Sequence, residues 1–157
     1  MKGFKQLISI VSRLMVAAVF IYAAYDKVWR PAEFAQATAV YELIPLWMVN
    51  ASSAIMAWLE LIVGVLLVLG IAIRAAALWT SGLLVFFIGL MVYAGLTGAG
   101  YDCGCFPGGG HPAGYETALR DVAFLVPSLW LIFVPGRWLA LAPGRGSRPP
   151  RDEGLLL

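Results

Sequence analysis

Long apolar runs separated by short polar breaks dominate this chain, a pattern that reads first as membrane spans. Four stretches, residues 7–25, 47–69, 75–96 and 118–134, approach the ~17–25 residues a helix needs to cross a bilayer core. The fourth is the shortest and is interrupted by Pro127. Between the first two, Phe34, Thr38 and Tyr41 recur at helical spacing behind Pro31, a residue suited to a helix's first turn. That predicts a short interfacial helix in the first outer loop, ending before Pro45, with Trp29 and Trp47 as aromatic anchors. The expected fold is all-α: a polytopic membrane protein built as a four-transmembrane-helix bundle over residues 1–142. Residues 143–157, rich in Pro, Gly, Arg and Ser, cannot bury a core and are expected to be a disordered basic cytoplasmic tail.

Composition supports this reading, because 61% of the residues are hydrophobic and only 13% charged, against roughly 25% charged in a soluble domain. Membrane lipid is an expected partner and nucleic acid is not. Orientation follows from the eleven Lys and Arg, since basic residues flanking spans stay cytoplasmic. An N-in/C-in arrangement puts Lys2, Lys5, Arg13, Arg74, Arg137, Arg145, Arg148 and Arg151 inside and leaves Lys27, Arg30 and Arg120 outside. The start, Met1-Lys2-Gly3-Phe4-Lys5 before an apolar run, also has the outline of a signal peptide. Arg13 breaks that run, and its removal would strand the C-terminal arginines outside, so a retained first span is expected.

Ionisable residues inside spans are expensive and usually face a partner or a cavity. Ser53, Ala57, Glu60 and Gly64 share one helix face, as do Arg13, Ala17, Phe20 and Ala24 on the first span. Small residues permit close helix packing in membranes, so Glu60 is expected to point into the bundle. Counting inward from Lys27 and from Trp47 puts Arg13 and Glu60 at the same depth, about 20 Å. An Arg13–Glu60 pair is therefore expected. It either fixes helix register or serves in moving protons or binding a polar headgroup.

Cys103 and Cys105, the only cysteines, are split by Gly104 in the loop before the fourth span. Their Cα atoms are separated by roughly 5.5–7 Å, which overlaps disulfide geometry without much room to spare. A strained, easily reduced pair favours redox exchange. An inert disulfide would close a loop too short to gain much stability. Metal binding with His111 or Asp102 is a further reading, although structural zinc prefers four ligands and wider cysteine spacing; no metal is expected, and His111 is expected to be a solvated loop residue. Lys27 and Arg120 are cations that could lower a thiol pKa, with Asp102 and Asp121 beside them as site-tuning or quinone-binding candidates. The bland reading of Arg120-Asp121 is an interfacial anchor with a first-turn acid.

Together, Lys27-Val28-Trp29-Arg30-Pro31-Ala32-Glu33-Phe34, Tyr41-Glu42-Leu43-Ile44-Pro45, Leu59-Glu60-Leu61-Ile62-Val63-Gly64 with Gly70, Asp102-Cys103-Gly104-Cys105-Phe106 and Arg120-Asp121 resemble the MauE/DoxX group of redox-associated membrane proteins. Arg13 falls where that group carries an arginine. Pro107 and Ala24 depart from its usual glycines without removing a chemical group.

The resemblance implies a multi-pass protein of the bacterial cytoplasmic membrane associated with thiol or sulfur oxidation. MauE is tied to disulfide formation in methylamine dehydrogenase maturation beside a thioredoxin-like partner, and DoxX relatives to thiosulfate:quinone oxidation. In outline the chain is also similar to DsbB and vitamin K epoxide reductase, which use two cysteine pairs where this chain has one. The expected function is therefore a thiol-disulfide oxidoreductase passing electrons between a periplasmic thioredoxin-like or sulfur-compound partner and a membrane quinone, with no covalently bound cofactor. Two alternatives stand beside it. One is a non-catalytic anchor or assembly subunit held among other redox-complex subunits, and the other is a small transporter or metal carrier lined by Glu60 and Arg13.

Overall fold

The computed structural model describes residues 2–97 and 114–135. Among them lie five helices and no strand: α1 (Lys2–Trp29), α2 (Pro31–Ala39), α3 (Leu46–Leu69), α4 (Ile73–Thr97) and α5 (Tyr115–Phe133). Gly3–Trp29 within α1, together with α3 and α4, are long and apolar enough to cross a membrane. The chain is a multi-pass membrane protein.

The long helices alternate in direction. Lys27 of α1 meets Glu60 of α3, while Gly64 lies against Ile21 and Ala17, so α1 and α3 run antiparallel. A Cβ added at Gly64 would stand 2.8 Å from Ile21 Cγ1 and 3.4 Å from the Ala17 carbonyl oxygen. The glycine is what lets the two backbones approach. α3 ends where Gly70 turns left-handed, at φ 69°; the Ile71 N–H donates to the Leu66 carbonyl at 3.0 Å, a Schellman-type stop. The short turn then sends α4 back along α3. Gly95, near the end of α4, packs on the Tyr115 ring that opens α5. At the opposite end Trp130 Nε1 donates to Ser9 Oγ, 3.2 Å away.

One end of the bundle thus gathers the end of α1, all of α2, the start of α3, the end of α4 and the start of α5. Pro31 occupies the first turn of α2, as its fixed φ and missing N–H allow, and α2 packs against α3 and α1. The faces expected from periodicity are the buried ones: Arg13, Ala17, Phe20 and Ala24 on α1, and Ser53, Ala57, Glu60 and Gly64 on α3; Lys27, expected outside, is buried as well.

α5 is a helix where a fourth span is expected, packed on α4 and α1, yet it falls outside the three span-like helices. Glu116, Arg120 and Asp121 occupy its opening turns. The uncharged remainder, residues 122–133, reaches only about 18 Å at 1.5 Å per residue. The basic tail after residue 135 lies outside the described residues.

Candidate functional site

Among the described residues, a cluster of charge is buried in the bundle. Lys27 Nζ lies 2.7 Å from both Oε1 and Oε2 of Glu60, and the two side chains are each 3% exposed. Lys27 arrives from the last turn of α1, where a cation complements the helix's negative end. Its ammonium also sits 4.8 Å from the Phe34 ring centroid and 4.9 Å from that of Phe87. Cation–π attraction of this kind strengthens when water is excluded. α1, α2, α3 and α4 therefore converge on a single ammonium group.

α5 adds the second carboxylate. Asp121, buried on that helix, accepts hydrogen bonds from Arg120 Nε and Nη2, each 3.3 Å away. A small cavity of about 30 Å³ is bordered by Lys27, Glu60 and Asp121 among apolar walls. It has the size and the polar partners that one bound water requires. Two acids and a lysine at the edge of one small, mainly apolar hollow can hold and pass a proton.

Arg13 does not belong to this site. It is buried, but it lies fourteen residues before Lys27, about 21 Å along α1, and Glu60 has both oxygens on Lys27. The expected Arg13–Glu60 pair is replaced by Lys27–Glu60. The reason is axial offset: α1 ends level with the middle of α3, so Lys27 does not mark the outer surface from which depth is counted. α2 packs over the part of α3 that α1 leaves uncovered. Lys27 is accordingly committed inside the bundle, whereas Arg120, with a side chain 30% exposed, is the more accessible cation.

A larger, mainly apolar cavity of about 300 Å³ lies between α2, α3 and α4. Phe34, Thr38, Tyr41, Ser53, Met56 and Phe87 are among its walls. Ser53 Oγ is fully enclosed and has no hydrogen-bond partner among the described residues. Sequence reading missed this cavity, although residues of two of its walls were in view: Phe34 and Thr38 on α2 with Tyr41 just past its end, and Ser53 on the small-residue face of α3.

Cys103, Cys105, Asp102 and His111 lie outside the described residues. Among the described residues no group of three or more His, Cys, Asp or Glu is arranged to hold a metal.

A family model described as methylamine utilisation protein MauE matches residues 5–134. The chain belongs to the MauE family. No curated protein and no solved structure matches it. The match covers all five helices of this MauE protein and stops before the basic tail. It does not extend to DoxX. Of the positions that carried the resemblance, the fold brings Lys27, Phe34, Glu60 and Asp121 to one place, with Gly64 one turn below Glu60 at the α1–α3 crossing.

Proposed function

We propose that this MauE protein is a membrane thiol-disulfide oxidoreductase working between a periplasmic thioredoxin-like protein and a membrane quinone. In the first half-reaction a thiolate of the reduced partner attacks the Cys103–Cys105 disulfide. The mixed disulfide resolves to an oxidised partner and a Cys103/Cys105 dithiol. In the second, the dithiol gives two electrons and two protons to the quinone, regenerating the disulfide and yielding the quinol. Arg120 is assigned the role of stabilising the Cys103 or Cys105 thiolate released when the disulfide opens. The proposal includes α5 as a fourth span with both termini cytoplasmic, in a bacterial cytoplasmic membrane, and a distant kinship to DoxX.

The observation that carries the reading is the convergence at one end of the bundle. Thr97 and Gly114, the residues that flank the Cys-Gly-Cys connection, belong to helix ends joined by the Gly95–Tyr115 packing. That is the end toward which α2, Asp121 and the buried Lys27–Glu60 pair are gathered. A buried ion pair inside a span-like bundle is costly, and here it borders a water-sized hollow. This suits a site that must supply or accept protons as electrons move. Membership of a membrane-bound, redox-associated family agrees with it.

Membranes carrying Cys103→Ser or Cys105→Ser test the proposal. Supplied with the oxidised partner, the variant that keeps the cysteine the partner normally attacks should form a mixed disulfide by the reverse exchange, its thiolate opening the partner's disulfide, while the double serine variant should lose partner-dependent quinone reduction. Wild-type quinone reduction by the double variant would sink the thiol mechanism in favour of the anchoring role.

A further inference from the structure

We infer that the cavity between α2, α3 and α4 is the seat of a lipid-soluble quinone headgroup, with Ser53 donating a hydrogen bond to one ring carbonyl. The inference rests on the thiol:quinone reading above and deepens it by assigning the acceptor's site. The volume, about 300 Å³, is at the lower end of what small-molecule pockets enclose and suits a substituted single or fused ring. Phe34, Tyr41, Phe86 and Phe87 give it aromatic walls. Leu43 and Phe86, both part of the lining, are 58% and 48% exposed. The cavity therefore has an apolar mouth on the outside of the bundle, where a lipid-dissolved molecule would arrive.

Its polar chemistry is sparse. The hydroxyls of Ser52 and Thr38 are spent on backbone carbonyls of their own helices. Ser53 is different: 3% exposed, bordering the cavity, and without a partner among the described residues. A buried hydroxyl without a partner is unfavourable by itself, and a χ1 rotation that turns it to the cavity would let an entering carbonyl oxygen satisfy it. An acyl chain has no acceptor to offer there, whereas a quinone ring has two. Phe34 and Phe87 line this cavity and also flank Lys27. The quinone seat and the buried ion pair thus share two rings.

The test uses the full-length protein in lipid nanodiscs and a photoreactive azido-benzoquinone with a short alkyl tail. Saturable labelling should map to peptides containing residues 34–44, 52–56 or 86–90. Ser53→Ala, which keeps the shape, should raise the half-saturating concentration about fivefold to tenfold, as expected for one lost hydrogen bond. Ala37→Trp, placed on the half-buried side of α2, should block labelling by filling the space. The Cys103→Ser/Cys105→Ser protein should label like wild type. Wild-type quinone reduction by that double variant, with labelling intact, would defeat the thiol chemistry and leave the site standing. Labelling elsewhere, indifference to both Ser53→Ala and Ala37→Trp, or equal displacement by phosphatidylglycerol would overturn the site and leave the thiol chemistry to stand on its own.

Discussion

Lys27 Nζ stands 2.7 Å from each carboxylate oxygen of Glu60, tying the last turn of α1 to the middle of α3 in a place where neither group is open to solvent. Removing one partner leaves the other charge buried and uncompensated, at a typical cost of about 3–5 kcal/mol. Lys27→Met and Glu60→Gln should each lower the unfolding temperature in detergent sharply. The Lys27→Met/Glu60→Gln double variant should be less damaged than the sum of the two. Strict additivity would mean that the pair contributes no coupling. Arg13→Gln combined with Glu60→Gln should be additive, since Arg13 lies about 21 Å along α1 from Lys27, the residue that holds Glu60.

Gly64 supplies a second, independent test of the α1–α3 crossing. An added Cβ there meets Ile21 and the α1 backbone, whereas at Gly82 nothing lies within 4 Å. Gly64→Val should therefore destabilise by about 1–3 kcal/mol through overpacking. Gly82→Ala, in the interior of α4, should be neutral or stabilising by roughly 0.5–1 kcal/mol. Thermal unfolding of both variants in the same detergent compares them directly.

Orientation is tested by labelling. With eight of the eleven basic residues assigned to the cytoplasmic side, a membrane-impermeant maleimide should modify Cys103 or Cys105 in reduced, intact spheroplasts. A cysteine introduced near the amino terminus, in place of Lys2, should react only after permeabilisation. The reverse pattern would invert the topology and remove the oxidising compartment on which the redox reading depends.

Much of the fold was legible because periodicity specifies which side of a helix is buried. The stripes through Ala17 and Ala24 on α1, and through Ala57 and Gly64 on α3, are buried as expected, and Pro31 opens the short helix it predicts. Periodicity carries no information about how far one helix slides along another. That is why Glu60 was matched with Arg13: the count began at Lys27 as though it lay at a surface. The cavity beside Ser53 was not legible for a related reason. Ser53 shares a face with Glu60 and Gly64, and a small residue at a helix contact looks the same in sequence as one beside a cavity. Whether α5 crosses the bilayer depends on charges in its opening turns, which an apolar-run count beginning at Ala118 discounts.

Ser9 decides how firmly the far end of α5 is held to α1. Its hydroxyl lies 2.8 Å from the Val134 carbonyl and 2.9 Å from that of Lys5, so one proton is shared between the two acceptors. The same oxygen accepts from Trp130 Nε1 at 3.2 Å. Ser9 itself is 0% exposed, so Ser9→Ala removes the acceptor of a partly buried indole N–H together with the donor that links α1 to the end of α5. Leaving such groups unpaired costs about 1–3 kcal/mol. The loss should appear first as loosening of α5, before the α1–α3 crossing fails. Hydrogen exchange in detergent micelles should accelerate in residues 128–134 of Ser9→Ala while residues 17–27 keep their protection. Equal acceleration in both segments would mean that α5 and α1 open as one unit and that Ser9 is not the tie between them.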